Sequence, residues 1–390
     1  MNNIYWQQRI QQFEKKKKKK KRFLPTVDTH NGVYISIVLL FLIGLILVFT
    51  SSTYYALYEH GTLWFFIKKQ ALLGGIGFIA MRIIARVDYH KWRIWTLPLA
   101  GITLILLVAV LIFGQEILGA KRWLDFGGIS LQPSEIAKYA VVFILADIII
   151  KLGKNINTFK RGIMMPLFVA AIFAGLVYLE KNLSITVVIC LVAYLMLIVG
   201  GVNIKHMLSM IPIAFGGVVL MIIDEPYRLV RVTTFLNPWA HQSEGGYQLS
   251  HSLMAIASGG VFGQGLGNSM QKALYMPEPY NDFIFAILAE EFGLIGCIFV
   301  IGIFILFILS SLKVATRAKD KYGRLLATGI TLVIAIQAII NIAVVTGSMP
   351  VTGVPLPFIS SGGTSLLINL AAMGVLLNIS KQSKKELSSE

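Results

Sequence analysis

Charge is scarce in this chain. Only 14% of its 390 residues are charged, whereas 56% are hydrophobic. So low a charge content excludes an ordinary soluble domain and points to a polytopic membrane protein. Cysteine is nearly absent, with Cys190 and Cys297 the only two. Both fall within long apolar runs, so they read as small hydrophobic side chains and not as a disulfide. The six histidines are scattered. No HExxH pair and no His/Cys cluster is present, which removes the common zinc sites. There is also no Asp-x-Asp pair of the kind that holds a nucleotide-sugar metal.

What remains is hydrophobic and basic. The net charge of +16 invites a nucleic-acid reading. The surplus lies in short segments between apolar runs, so nucleic acid is excluded as a partner. Lys15 to Lys21 is an unbroken lysine run, read as a disordered tail held electrostatically at anionic lipid. The first apolar stretch is too long for a signal-peptide core and lacks a clear cleavage site, so it is expected to stay as an anchor. Ten apolar stretches are each long enough to cross the hydrocarbon core as a helix, near 34–56, 64–84, 94–113, 133–152, 162–180, 183–200, 206–223, 283–312, 325–347 and 363–380. The expected fold is therefore all-α and polytopic. Residues 1–32 form a cytoplasmic tail, 33–380 a ten-helix membrane domain, and 381–390 a second tail. A large loop, 224–282, joins spans seven and eight. With the N-terminus inside, 26 of the 35 basic residues fall on inner segments. That asymmetry places both termini in the cytoplasm and the loops 114–132, 224–282 and 348–362 outside.

Those three outer loops carry the polar motifs. The first holds Lys121, Arg122 and Trp123; arginine grips phosphate oxygens with a planar fork and lysine adds a point charge. In the large loop come Arg228, Arg231 and a stretch, Gly246 to Gly260, with apolar residues at helical spacing, expected to lie on the membrane as an amphipathic helix. The glycine-rich run that follows has no strand before it, so it is not a dinucleotide fingerprint. Its glycines allow tight turns or close approach to a ligand. Lys272 then puts a cation close in sequence to Asp282. The last loop is stiffened by Pro350, Pro355 and Pro357, and ends in Ser360, Ser361, Gly362 and Gly363. Free N–H groups at a helix start there would attract phosphate. Within the spans, Glu135 and Lys138 share a helix face and can pair, as can Gln337 and Asn341. Asp282 stands where a polar loop meets an apolar span. Burial and nearby cations both act on such a carboxylate, which suits a proton-transfer group.

The motifs GAKRWLDFG, QPSE, FLNPW, GYQLSHSLMAIASGG, GQGLGNSMQK, PEPYNDFIFAILAEE and GVPLPFISSGGTS occur in order from about residue 33 to 380. Together they resemble the SEDS family of shape, elongation, division and sporulation proteins. Trp239 after Asn-Pro and the GLGNSMQK run favour its division and sporulation branch over the rod-shape branch. The resemblance implies a ten-span fold and a peptidoglycan glycosyltransferase that polymerises lipid II at the outer face of the bacterial cytoplasmic membrane, at the division septum. It implies Asp282 as the essential aspartate of the DFIF motif. Lys121, Arg122 and Trp123 match the outer-loop set, Glu135 and Lys138 the polar pair of the fourth span, and Ser360 to Gly363 the SSGG turn. Asn182 and Ser184 depart from the Asp and Gly common there, so no role is carried to them; Asn281 replaces a common Thr.

The expected chemistry follows. Asp282 is the general base on an acceptor sugar hydroxyl, and undecaprenyl pyrophosphate leaves. Lys121, Arg122, Lys272 or a divalent metal (Mg2+ or Mn2+) would stabilise the diphosphate. No nucleotide cofactor is expected. The implied partners are lipid II, the nascent glycan on undecaprenyl pyrophosphate, a class B penicillin-binding protein and other divisome proteins. Two alternatives stand beside this reading: a lipid II flippase, and a non-catalytic division scaffold.

Overall fold

The structure is a computed structural model that describes residues 29–387, apart from 118, 126, 128–129, 242–245 and 274. The lysine run and the expected tail up to residue 28 lie outside the described residues. In chain order the elements are α1 (Thr29–His60), α2 (Phe65–Ile84), α3 (Trp92–Phe113), β1 (Gln115–Ile117), β2 (Ala120–Asp125), β3 (Ser130–Leu131), α4 (Pro133–Leu152), α5 (Met165–Leu179), α6 (Leu183–Gly200), α7 (Ile204–Ile223), α8 (Pro226–Leu236), α9 (Tyr247–Gly259), α10 (Ile284–Thr316), α11 (Lys321–Val345) and α12 (Thr364–Leu387). Short 3-10 and π turns precede α3 and α5. The fold is all-α and polytopic, as the apolar runs predict.

Eight of the long helices are long and apolar enough to cross a membrane. The two other expected spans, α2 and α4, are helices of 20 residues that carry more charge: Lys68, Lys69 and Arg82 in one, Glu135, Lys138, Asp147 and Lys151 in the other. Helix starts follow local chemistry. Pro133 and Pro226 open α4 and α8 at the position where a missing N–H costs nothing. Asn182, Asn203 and Asp320 cap α6, α7 and α11 by accepting backbone N–H bonds. Gly201, at φ 95°, ends α6 in the left-handed conformation that glycine adopts without strain.

Burial separates centre from rim. Of the most apolar window in α11, 78% is buried, against 6% in α7. α11 packs on α4, α6 and α10; α12 packs on α2, and α10 on α1. The outer helices present Leu97, Ile105, Phe113, Ile213, Phe215 and Leu220 outward, as a bilayer-facing surface would. Cys190 is exposed and Cys297 buried, and both are free.

Three features depart from the sequence reading. The loop after α3 is a small antiparallel sheet, β1-β2-β3, with strands too short for their periodicity to announce them. α10 breaks at Gly293, whose φ is 64°. The glycine-rich run folds into that break: Gln264 and Gly265 donate their N–H groups to the Glu290 and Glu291 carbonyls at 2.9 and 3.0 Å, and Leu294 donates to Gly260 at 2.9 Å. A Cβ on Gly259 would lie 1.9 Å from the Ala289 oxygen. The close approach those glycines permit is to a helix backbone. Finally, α12 runs past the expected boundary at 380 to Leu387.

Candidate active site

The loops after α3, α5, α7 and α11 meet at one end of the bundle around a cavity of about 600 Å³. That size is ordinary for a small-molecule or headgroup site. Asp282 lies in its wall with Arg122, Lys181, Arg231, Gln248 and Glu278. It sits two residues before α10, so the helix fixes its height along the bundle. Its backbone carbonyl accepts a 2.7 Å bond from Asn341 Nδ2, which also donates to the Val354 carbonyl at 2.8 Å. Asn341 thus ties the aspartate and the last loop to the core helix α11. The neighbouring Gln337 shares that face, and its buried amide makes no hydrogen bond among the described residues. Gly353 completes the seat, since a Cβ there would lie 3.3 Å from Asp282 Oδ2.

The Asp282 carboxyl is raised from its ordinary value to about 6. Burial is the main cause and Glu278 adds to it; Arg231 and Arg122 pull the other way. Such a group is mostly ionised at pH 7, yet basic enough to take a proton.

The two arginines arrive from different directions. Arg122 sits on β2, where successive side chains point to opposite faces. It reaches the cavity, while Lys121 and Trp123 on the other face do not line it. Lys121 stands opposite Glu116 in the strand register. Arg122 Nε and Nη2 donate to the backbone carbonyls of Glu180 at 3.3 Å and Lys181 at 2.5 Å. Lys181 holds φ at 58°, an uncommon conformation for a residue with a side chain. Arg231 comes from α8, with Nη1 bonded to the Val351 carbonyl at 3.1 Å. Arg228, one turn earlier, is used structurally: it bonds Tyr178, Tyr227 and the Met221 carbonyl. Behind Arg122 lies Glu180, 1% exposed, with neither carboxyl oxygen in a hydrogen bond of ordinary geometry. Burial pushes that carboxyl up to about 8, against the pull of Arg122 and the nearby Ser134 hydroxyl. Sequence reasoning missed Glu180, Glu278 and the placement of Arg231; the charged residues flanking the 224–282 loop were the only signal for the last.

The remaining candidates lie elsewhere. Glu135 and Lys138 are fully buried and paired at 2.8 Å, and Ser365 donates to the same carboxyl oxygen at 2.6 Å. The pair locks α4 to the start of α12. Lys272, close to Asp282 in sequence, is turned away from it: its Nζ pairs with Glu291 at 2.8 Å beneath the kink of α10. The neighbouring Glu290 accepts from the Met270 N–H at 2.9 Å and from the Ser269 hydroxyl. The serine-glycine turn is likewise bonded within the protein. Ser360 Oγ accepts from the Leu356 N–H at 2.8 Å, the Ser361 N–H donates to the Tyr280 carbonyl at 3.0 Å, and Ser365 N–H donates to Gly362 at 2.8 Å. Gly363 takes φ 50° at the helix entry. Neither this turn nor Lys272 lines the cavity. The stretch Gly246 to Gly260, expected to lie on the membrane, forms α9, packed on α10 and bonded through Ser252 to the Val345 carbonyl at 2.7 Å.

Among the described residues, no three His, Cys, Asp or Glu side chains gather as a metal site. The cavity acids, Asp282 and Glu278, stand instead with arginines. This donor set does not build a resident divalent site.

A membrane bundle with the carboxylates Asp282 and Glu278 and the arginines Arg122, Arg228 and Arg231 around a cavity at its end defines a class: a polytopic membrane protein with a charged site at one end of its bundle. Residues 31–385 match the family model of FtsW, RodA and SpoVE, described as cell cycle protein, and the chain belongs to that family. The SEDS resemblance of its motifs is thereby borne out. The chain is similar to stage V sporulation protein E of Bacillus subtilis (strain 168), 42% identical over 348 residues, covering 89% of this chain and 95% of that one. It is also similar to a probable peptidoglycan glycosyltransferase FtsW of Geobacter sp. (strain M18), 37% identical over 345 residues, 88% of this chain and 94% of that one. Its fold matches a solved chain from work on the structural coordination of polymerization and crosslinking by a peptidoglycan synthase complex, with a TM-score of 0.73 at 22% identity, covering 90% of this chain and 97% of that one. It also matches the rod shape determining protein RodA of Thermus thermophilus, with a TM-score of 0.64 at 23% identity, covering 90% and 96%.

Proposed function

We propose that this protein is a peptidoglycan glycosyltransferase that polymerises lipid II, and that the cavity around Asp282 is where the sugars react. Asp282 takes the proton from the 4-hydroxyl of the acceptor sugar. That oxygen attacks C1 of the lipid-linked donor sugar with inversion, and the C1–O bond to undecaprenyl pyrophosphate breaks. Base catalysis of this kind contributes about 10²–10⁴-fold. Arg122 and Arg231 stabilise the charge that develops on the leaving diphosphate. A divalent ion would be held chiefly by the substrate's own phosphates, and no step here passes through one. The observation that carries the proposal is the placement of a carboxylate of raised proton affinity in a cavity with Arg122 and Arg231, among other charged residues, at the end of the bundle.

Charge asymmetry supports placing that end outside the cytoplasmic membrane, with both termini in the cytoplasm; membership of the cell cycle protein family supports a place at the division septum. A class B penicillin-binding protein would cross-link the strands made here, among other divisome partners. A flippase reading drew on Glu135 and Lys138 as carrier groups; their closure on each other and on Ser365 leaves it without an open intramembrane charge at that position. The test is a gel of glycan products from lipid II, using purified Asp282→Asn with its partner beside the wild type. Short or missing product with an unchanged melting temperature supports the base role. Wild-type product length removes it. Transfer of labelled lipid II across vesicles by Asp282→Asn, with no glycan from the wild type, would point to the flippase.

A further inference from the structure

The rim of the Asp282 cavity continues outward into a row of rings that the transfer step does not use. Gln248 and Pro277 both line the cavity. Tyr247 precedes the first by one residue and Tyr275 precedes the second by two, so both chain segments leave the wall carrying a tyrosine. Tyr247 and His251 stand four residues apart on one face of α9. Their ring centroids are 4.1 Å apart, and the His251 ring lies 6.3 Å from that of Tyr275 with the planes only 19° apart. His251 Nδ1 is held by Gln271 Oε1 at 2.6 Å. The row is seated from below. A Cβ on Gly246 would come 2.6 Å from the Pro238 carbonyl, and Leu249 and Met276 are each 1% exposed. Tyr247 and Tyr275 are themselves 39% and 53% exposed. Lys272, the only charged residue from Gln271 to Tyr275, is buried and paired with Glu291. The row thus offers flat rings and a side-chain amide, without the cations that the cavity presents.

We propose that this aromatic row is a binding site for the growing glycan, holding the sugar units that lie beyond the one reacting at Asp282. The inference rests on the glycan-polymerising reading of the cavity. The C–H face of a pyranose is apolar and packs on a flat ring, while its hydroxyl and N-acetyl groups need hydrogen-bond partners at the edge. Tyrosine supplies both, a broad apolar body and a polar tip. Rings already ordered by their neighbours lose little freedom on binding, so less of the contact energy is spent on fixing them. Aromatic residues that anchor a protein at the bilayer surface need not touch one another. These pack in single file and begin at the cavity rim. A strand held there would stay with the enzyme through many additions.

The test uses the full-length protein in nanodiscs and a soluble probe, a hexasaccharide of alternating N-acetylglucosamine and N-acetylmuramic acid free of peptide and lipid. Binding is read by titration calorimetry. The wild type and Asp282→Asn should bind it alike, because the row does not need the base. Tyr247→Ala/Tyr275→Ala should bind it roughly tenfold more weakly, the scale of two lost ring contacts. With lipid II the same variant should make shorter strands while the first coupling keeps its rate. If it does not fold, Tyr247→Leu/Tyr275→Leu carries the same expectation, because leucine keeps apolar bulk without a flat face. Tyr58→Ala, which removes an exposed ring at the end of α1 outside the cavity wall, should change neither readout. No binding by the wild type, or unchanged binding in the double variant, would overturn the proposal. An equal loss in Tyr58→Ala would also overturn it, in favour of rings that only anchor the protein at the bilayer surface. Binding that follows the ring variants, even with Asp282→Asn still polymerising, would support the row and strike the base role.

Discussion

Lys138 and Asp282 are both ionisable groups taken out of bulk water, and they are handled in opposite ways. Lys138 is closed into a pair with Glu135, itself bonded by Ser365. Lys272 and Glu291 repeat the device under the kink of α10. Asp282, Arg122 and Arg231 instead line open space, held by backbone carbonyls and by Asn341 and not by one another. Closed pairs fix helices against each other and leave nothing for a substrate. Charges held only from behind keep their reactivity. The difference separates groups that set the fold from groups that do chemistry, although both look alike as polar residues in an apolar sequence.

The largest break in that comparison should come from Asp282→Asn, which is expected to lower lipid II polymerisation about 10²–10⁴-fold with the melting temperature unchanged. A loss of stability instead would move Asp282 into the structural group. Lys138→Met should act on folding, because one charge left alone in a buried site costs about 3–5 kcal/mol. The double change Glu135→Leu/Lys138→Met should recover most of the melting temperature in detergent; a double variant less stable than the single would refute the closed-pair reading. Arg122→Ala and Arg231→Ala should each reduce kcat/KM about 10²-fold, the scale for one lost donor to developing charge. Lys272→Ala should show its effect in melting temperature and not in kcat/KM at the melting-corrected dose.

Glu180 gives the smallest effect and sharpens the comparison. Its carboxyl is raised from 4.5 to about 8, so it holds a proton at pH 7. Glu180→Gln should then polymerise normally at neutral pH. The sign for stability follows: the folded state binds the proton more tightly, so its contribution is full below about pH 4.5 and is lost as pH rises through about 8. The melting temperature of the wild type should fall over that range relative to Glu180→Gln. Parallel curves would show that the carboxyl is not buried as described.

The helical framework was legible because ten apolar runs have no other way to satisfy their backbone in a membrane. Asp282 was legible from its position at a polar-apolar junction, and Arg122 as a cation in an outer loop. Lys272 misled because sequence proximity ignores Gly293: the break there folds the glycine run under α10 and carries Lys272 to Glu291. The serine-glycine turn looked like a phosphate cradle, but the Ser361 N–H and the Ser360 and Ser365 hydroxyls are bonded to Tyr280, Leu356 and Glu135, and the turn lies outside the cavity wall. Glu180 could not be found, since its significance lies in how deeply its carboxyl is buried behind Arg122, a property of the packed structure alone.

The pH dependence of lipid II polymerisation tests the central claim most directly. With Asp282 as the base, kcat/KM should rise tenfold per unit below a midpoint near pH 6 and level off above it. The midpoint should move upward in Arg231→Gln, because that arginine holds the carboxyl down. A rate that is flat from pH 5 to 7, or a midpoint indifferent to the arginine, would contradict it.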